Sequence, residues 1–148
     1  MKIGIAADHG GYEMKEELIL HMQKGGLEVI DYGTHGLESV DYPDYAKRVS
    51  QGVLSGEVQW GIAICGTGVG ISIACNKING IRAAHCTDSY TGRVVRKHNN
   101  ANILCLGGRI TGIEIAKDIV DAFLSSDFDG GRHAMRVDKV MAIEEGEL

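Results

Sequence analysis

Short apolar segments alternate with longer amphipathic segments along the 148 residues, and this alternation restricts the possible folds more than any other feature. The apolar segments are short enough for buried strands, and the segments between them carry apolar residues at helical spacing. Strands are predicted at 2–7, 27–31, 60–65, 81–86 and 101–106. Such an alternation favours a five-stranded parallel sheet covered by helices on both faces, and the length fits one domain over residues 1–148.

The helices between these strands have recognisable ends. Glycines 25 and 26 end the first helix, and Pro43 suits the first turn of the second. Thr111 and Glu114 have the spacing of a capping box at the start of the fifth helix. Helices are predicted at 12–23, from 43 to about 56, at 69–76, at 88–97, from 111 through Phe123, and at 130–143.

Composition excludes several classes of protein. The net charge of −5 gives no general attraction to nucleic acid or to an anionic membrane. The apolar run before Asp8 is too short for a signal peptide or a membrane span. The four cysteines form no C-x-x-C pair and match no zinc-ligand spacing, so we expect reduced thiols, no structural metal and a cytoplasmic location.

The segment GIAICGTGVG, residues 61–70, joins the third strand to the third helix. In parallel sheets, ligands bind outside the carboxyl ends of the strands. The backbone N–H groups of this glycine-rich loop are unshielded and lead into a helix N-terminus, which suits an anion. The same position would lower the pKa of Cys65. The alternative is that Cys65 is a core residue and that the glycines only form a tight turn.

Three familiar loop motifs do not fit this segment. A dinucleotide fingerprint needs G-x-G-x-x-G after the first strand, whereas this loop reads G-x-G-x-G after the third. A P-loop needs Gly-Lys-Ser/Thr, which is absent. A cysteine phosphatase loop would place an arginine where this chain has Ile71. The loop is therefore suited to holding an anion without those chemistries.

Two further polar segments have both a structural and a functional interpretation. Asp8 and His9 follow the first strand, where an aspartate is commonly a helix N-cap but could also face a ligand. His98 and Asn99 follow the basic run 93–97, which is typical of a helix C-terminus. Histidine is also the commonest acid–base residue near neutral pH.

The arginines near the C-terminus are candidates for binding phosphate. Arg132 and Arg136 are four residues apart, so a helix would place them on one face. Paired guanidinium groups suit a phosphate dianion, although charged helix faces are usually only solvated. Arg109 lies in a predicted loop after the fifth strand and could join them.

Four motifs in order resemble ribose-5-phosphate isomerase type B, a family that includes the galactose-6-phosphate isomerase subunits. They are MKIGIAADHGG, ICGTGVGISIACNKINGIRAA, RKHNNANILCLGGR and GGRHAMR, and the resemblance extends from Met1 to about Ile143. It implies a flavodoxin-like or Rossmann-like three-layer α/β/α sandwich, assembled at least as a dimer and possibly as a tetramer. It also implies aldose–ketose isomerisation of a phosphorylated sugar without a cofactor or metal.

The resemblance assigns a role to each candidate residue. Cys65 is implied as the general base between C1 and C2, with Thr67 beside it. His98 is implied as the acid–base group that opens the sugar ring, with Asp8 on the opposite side of the sugar. The enediolate would lie on the N–H groups of Gly66, Gly68, Val69 and Gly70; sugar hydroxyls would contact His9 and Asn99; and phosphate would contact Arg109, Arg132 and Arg136.

Other functions are compatible with the same residues. The substrate could instead be allose 6-phosphate or galactose 6-phosphate, or the chain could bind a phosphosugar without catalysis. A nucleotide-dependent enzyme is a third class, which the missing fingerprint disfavours.

Because Cys65 follows a strand whereas His98 precedes one, the two would lie at opposite edges of the sheet. We therefore expect a homodimer in which each site takes Cys65 from one chain and His98 from the other.

Overall fold

The computed structural model describes residues 1–148 and contains five strands and six helices. The strands are β1 (Lys2–Ala7), β2 (Glu28–Asp31), β3 (Trp60–Cys65), β4 (Ala83–His85) and β5 (Ile103–Gly107). The helices are α1 (Tyr12–Lys24), α2 (Tyr42–Leu54), α3 (Val69–Asn76), α4 (Ser89–Lys97), α5 (Ile113–Leu124) and α6 (Arg132–Glu144). None of these helices combines the length and the apolar character needed to cross a membrane.

The strands form one parallel sheet in the order β2-β1-β3-β5-β4. The predicted five-stranded parallel sheet is therefore confirmed. In the two central strand pairs, Ala7 lies opposite Ile64 and Cys65 lies opposite Gly107. The loops that follow β1, β3 and β5 consequently meet at the carboxyl edge of the sheet.

Two apolar cores lie on opposite faces of the sheet, which gives three layers. On one face, Leu18 of α1 and Phe123 of α5 pack against Ile62 and Ile64. On the other face, Val49 of α2 and Cys75 of α3 belong to the second core. Side chains along a strand alternate between the faces, so Cys65 lies with Ala63 in the second core, beside α2 and α3.

Several element bounds differ from the predictions by one or two residues, and two of these differences have an identifiable cause. Strand β4 is three residues long instead of six, because the Arg82 and Ala83 N–H groups donate to the side chains of Asn102 and Asn76 at this edge of the sheet. The predicted capping box at Thr111 and Glu114 is wrong. Helix α5 begins one residue later with Gly112 as its N-cap and no side-chain capping bond, and Glu114 pairs instead with Lys117 at 3.3 Å.

Helix α6 lies across the amino edge of the sheet, beside the segments that enter β4 and β5. The Gly80 N–H donates to Glu144 Oε2 at 3.0 Å, and Arg82 Nη1 lies 3.5 Å from Met141 Sδ. The helix has no buried residue, and Met135, Val140 and Ile143 are exposed on it. These three apolar side chains are therefore left without cover from the rest of the chain.

Candidate active site

Three loops pack against one another at the carboxyl edge, and glycines permit the close approach. A Cβ added at Gly10 would lie 3.1 Å from the Gly66 Cα, and one added at Gly108 would collide with the Gly10 carbonyl. The loops are also tied by hydrogen bonds from the Asp8 N–H to the Ile64 carbonyl and from the Arg109 N–H to the Gly66 carbonyl. Asp8, Cys65 and Arg109 are thereby brought into one region.

The thiol of Cys65 lies at the start of the glycine loop and accepts a hydrogen bond. The Gly68 N–H donates to Cys65 Sγ at 3.1 Å, and Cys65 is 5% exposed. Gly68 adopts a left-handed conformation with φ of 82°, and a Cβ there would collide with His85 and with the Leu106 backbone. The donor is the N-cap residue of α3, so Cys65 Sγ lies at the amino end of this helix. The geometry therefore supports the reactive interpretation of Cys65.

Some N–H groups of the loop have an acceptor within the chain, and others do not. The Val69 N–H donates to Thr67 Oγ1 at 3.2 Å, and the Gly68 N–H is taken by sulfur. The Gly66 and Gly70 N–H groups have no acceptor within the chain. Of the four predicted oxyanion donors, Gly66 and Gly70 are therefore free for a ligand in this structure.

Asp8 and His9 lie at the same edge, and Asp8 is not a helix N-cap. Asp8 is 7% exposed, and its Oδ1 accepts the Gly10 N–H at 2.9 Å, whereas Gly11 is the N-cap of α1. The Val40 N–H donates to His9 Nδ1 at 3.1 Å. Because Nδ1 is the acceptor, neutral His9 carries its proton on Nε2 and can donate from that atom.

Two further side chains border the glycine loop. The guanidinium of Arg109 lies against Gly66, where an added Cβ would be 3.2 Å from Nη1. The ring of Tyr42 lies against Gly70, where an added Cβ would be 2.8 Å from Cζ. Arg109 and Tyr42 are both exposed, and they border the N–H groups of Gly66 and Gly70, which have no acceptor.

His98 and Asn99 belong to a second group at the amino edge. His98 is the C-cap of α4, and Asn99 follows it in the turn toward β5. The His98 ring stacks on the ring of His133 from α6, with centroids 4.2 Å apart and planes inclined by 5°. Burial, followed by the positive charges that His98 and Arg132 can carry, lowers the pKa of His133.

This second group borders a groove of about 1010 Å³ between α6 and the amino edge. His98, Asn99, Arg136, His133 and Arg82 are among its lining residues. Arg132 opens α6 next to His133. The structure therefore brings the predicted residues His98, Asn99, Arg132 and Arg136 into one neighbourhood.

The two groups are separated within one chain. Strand β5 runs between them, since the turn with His98 precedes it and Arg109 follows it. Five residues of strand span about 17 Å. Arg109 therefore lies away from Arg132 and Arg136, and Cys65 lies away from His98.

One set of possible metal ligands occurs at the amino edge. Ligand atoms of His98, Asp129 and His133 lie within 4.8 Å of one another. The two histidine rings are stacked in parallel, so their lone pairs do not converge on one point. Arg132 and Arg136 add positive charge on the same helix, which favours an anion over a metal cation.

Comparison with known proteins bears on this arrangement. The sequence profile of the family described as Ribose/Galactose Isomerase matches residues 3–140. The chain belongs to this family. A relative from Escherichia coli named ribose-5-phosphate isomerase B is 50% identical over 144 residues, which is 97% of each chain. The family resemblance inferred from the four motifs is thus confirmed.

Solved structures of ribose/galactose isomerase relatives share the fold of this chain. Ribose-5-phosphate isomerase B from Clostridium thermocellum is 58% identical, with a TM-score of 0.97 and complete coverage of both chains. The enzyme from Mycoplasma genitalium, with bound ribulose-5-phosphate, is 39% identical, with a TM-score of 0.92 over 97% of this chain and 96% of that one. The predicted α/β/α architecture of this isomerase family is confirmed.

Three residues beside the two groups were not among the sequence predictions. Tyr42 was expected to end the loop before the helix at Pro43, whereas it is the first residue of α2, and its contact with Gly70 was not predicted. Arg82 lies in a predicted strand, where its charge was the available signal. His133 lies between the predicted residues Arg132 and Arg136 and was the easiest of the three to find.

Proposed function

We propose that this chain interconverts ribose 5-phosphate and ribulose 5-phosphate through an enediolate. The observation that carries the proposal is the Cys65–Gly70 loop, which combines a thiol held by the Gly68 N–H with two free N–H groups at Gly66 and Gly70. The relatives named ribose-5-phosphate isomerase B, one of them with bound ribulose-5-phosphate, support the choice of substrate.

Cys65 acts as the general base in this proposal. The α-proton of a sugar aldehyde is weakly acidic, so its removal requires a base and stabilisation of the resulting oxyanion together. The thiolate removes the proton from C2 of the open aldose and returns it to C1, with Thr67 beside the moving hydroxyl proton. The Gly66 and Gly70 N–H groups donate to the enediolate oxygens, at about 3 kcal/mol per donor.

His98 and Asp8 act on the closed sugar. His98 donates a proton to the ring oxygen while the C1–O4 bond breaks, and Asp8 lies on the opposite side of the sugar to accept the proton of the anomeric hydroxyl. Asn99 and the Nε2–H of His9 donate to sugar hydroxyls, which fits the acceptor role of His9 Nδ1. These assignments extend the roles that the sequence motifs imply.

The site is proposed to form between two copies of the chain. Cys65 and His98 must act on one sugar, yet strand β5 separates them by about 17 Å within a chain. A two-fold dimer would place His98, Asn99, Arg132 and Arg136 of one chain beside Cys65 and Arg109 of the other. Exposed apolar residues on α6 and α3, such as Met135 and Ile73, provide surface for such an interface. A tetramer of two dimers is compatible with the same site.

The activity test uses the purified chain with three substrates. We expect kcat/KM to be higher for ribose 5-phosphate than for allose 6-phosphate or galactose 6-phosphate, with ribulose 5-phosphate formation followed by absorbance. A preference for either six-carbon sugar would contradict the substrate assignment. Stabilisation of the fold by ribose 5-phosphate without turnover would indicate a phosphosugar-binding protein instead. We place the activity in the cytoplasm, where the four free, buried cysteines would stay reduced.

Replacing Arg132 or Arg136 with alanine is expected to raise KM for ribose 5-phosphate by about 10-fold, because each removes a charge-assisted bond to phosphate. Some loss of kcat is also expected, since phosphate binding energy contributes to the transition state. Initial-rate kinetics measure both constants. Lys139→Ala, an exposed cation on the same helix, is the matched control, and unchanged kinetics in both arginine variants would leave these residues as solvated surface charges.

A further inference from the structure

The turn that carries His98 and Asn99 is held by a buried arginine from the preceding helix. Arg96 is 3% exposed, and its guanidinium lies over the Trp60 ring at 3.7 Å from the centroid. Its Nη1 donates to the Asn100 Oδ1 at 3.0 Å and to the Ala101 carbonyl at 2.6 Å. These two acceptors lie directly after the pair that the proposed function places on the sugar.

A second arginine holds the same turn from another direction. Arg82 Nε donates to the Asn100 carbonyl at 3.0 Å, and its Nη1 reaches Met141 of α6. Asn100 is the only residue other than glycine with a positive φ, which is 48°. Asparagine tolerates this left-handed conformation, and the reversal lets the chain leave α4 and enter β5 directly. The position of the turn relative to α6 is therefore fixed by side chains.

Burial of Arg96 is unfavourable for stability alone. Its Nε is buried without a hydrogen-bond partner, and desolvation together with the charge of Arg82 lowers its pKa. Burying a cation with incomplete hydrogen bonding costs free energy. An aliphatic side chain on Trp60 would avoid that cost but would leave Asn100 and Ala101 without their donor.

We infer that Arg96 and Asn100 are positioning residues for the reaction, and that the Arg96–Asn100 contact fixes His98 and Asn99 for ring opening and closure. The inference rests on the proposed function, in which His98 acts on the ring oxygen. Displacements near 1 Å can lower a rate about 100-fold. Loosening this contact should therefore impair the ring steps while leaving the proton transfer at Cys65 intact.

Deuterium exchange separates these two steps. Ribulose 5-phosphate is acyclic, because its C5 oxygen is phosphorylated and cannot close a ring onto C2. In D₂O, removal and return of the C1 proton incorporates deuterium into ribulose 5-phosphate without ring closure, and NMR measures this incorporation. Net conversion to ribose 5-phosphate is followed in the same sample. The ratio of exchange to net conversion reports on the ring steps, and a general loss of folded enzyme would not change it.

The variants are Asn100→Gly, which keeps the left-handed turn but removes the acceptor of Arg96, and Arg96→Lys, which keeps a cation over Trp60. Arg93→Lys, an exposed arginine on the same helix, is the matched control, and His98→Ala is the reference. We expect Asn100→Gly, Arg96→Lys and His98→Ala each to raise the ratio by about tenfold or more, with Arg93→Lys at the wild-type value.

Two results would overturn the inference. One leaves the proposed function intact, and the other also removes the ring-opening role of His98. If His98→Ala raises the ratio while Asn100→Gly and Arg96→Lys do not, the positioning role is wrong and the proposed function stands. If His98→Ala itself leaves the ratio unchanged, the ring-opening role of His98 is wrong, and the positioning role falls with it. Asn100→Gly decides alone if Arg96→Lys fails to fold, since glycine is favoured in the left-handed conformation.

Discussion

Cys65→Ala is expected to lower kcat for ribose 5-phosphate by about 10²–10⁴-fold, the usual effect of removing a general base. The thiol contributes little else that alanine would remove. It is 5% exposed, it lies at the end of β3, and its sulfur accepts a hydrogen bond from the Gly68 N–H. The variant should therefore fold, and it should bind a phosphosugar, since the binding groups are unchanged.

Selective alkylation gives an independent measurement of the same thiol. Iodoacetamide reacts with thiolates, so it should inactivate the enzyme by modifying Cys65, and a competitive phosphosugar should protect it. Burial raises the pKa of Cys86 to about 12, and the pKa of Cys105 is raised by its contact with Cys75 and by burial. Cys75 has a lowered pKa, through its contact with Cys105, but is fully enclosed.

The matched control for Cys65→Ala is Cys86→Ala, which removes a buried thiol that is not proposed to act on the sugar. It should retain kcat and should still be inactivated by iodoacetamide. Near-normal turnover of Cys65→Ala would contradict the assignment of the base and would direct the search to a carboxylate. Mass spectrometry of the modified wild-type chain identifies the alkylated residue in either case.

The order of strands and helices was predictable because it depends on local sequence. Strands β1 and β3 and helix α3 have the predicted bounds, since apolar runs and glycine turns fix their ends within a few residues. Strand β4 starts later than predicted because the Arg82 and Ala83 N–H groups at its amino end donate to the side chains of Asn102 and Asn76, contacts that the local pattern does not show. The capping box did not form, because Gly112 is the N-cap of α5 and Glu114 pairs with Lys117 within the helix.

The grouping of the candidate residues was predictable only in part. That Asp8, Cys65 and Arg109 lie together follows from the parallel order of β1, β3 and β5, which places their carboxyl ends side by side. The neighbour of α6 could not be predicted, because its contacts run to Gly80 and Arg82, which lie 64 and 59 residues away in the sequence from Glu144 and Met141. The stacking of His133 on His98 was consequently not predicted.

Arg96 illustrates a different limit of sequence interpretation. It belongs to the basic run 93–97 at the end of α4, where lysines and arginines usually remain solvated near the helix C-terminus. In the structure its neighbour Arg93 is exposed, whereas Arg96 is buried over Trp60. Arg96 follows the buried Val95 on the helix, so helical periodicity is compatible with a buried side chain. The charge of arginine alone, however, favours an exposed position.

Mixing inactive Cys65→Ala and His98→Ala homodimers is expected to restore activity, and this prediction follows from the separation of the two residues by β5. If each site takes Cys65 from one chain and His98 from the other, a mixed dimer contains one site with both substitutions and one intact site. Activity per mixed dimer should then approach half that of wild type. If each site lay within one chain, both sites of the mixed dimer would remain damaged.

The pair Cys65→Ala and Asp8→Ala is the matched negative control. Cys65 and Asp8 lie at the same edge of the sheet in one chain, so a mixed dimer of these variants has one substitution in each site under the shared-site arrangement. No activity should return in this mixture, although the chains exchange equally well. Native mass spectrometry with one mass-labelled chain measures the fraction of mixed dimer in both experiments.

The two mixtures together decide between the arrangements. If activity returns in the mixture with His98→Ala but not in the mixture with Asp8→Ala, each site must combine Cys65 and Asp8 of one chain with His98 of the other. Absence of recovery in both mixtures, with exchange demonstrated, would place the whole site in one chain. His98 would then have to act about 17 Å from where it lies, a distance that no side-chain rotation covers, and its catalytic role would have to be abandoned in favour of the helix C-terminal interpretation.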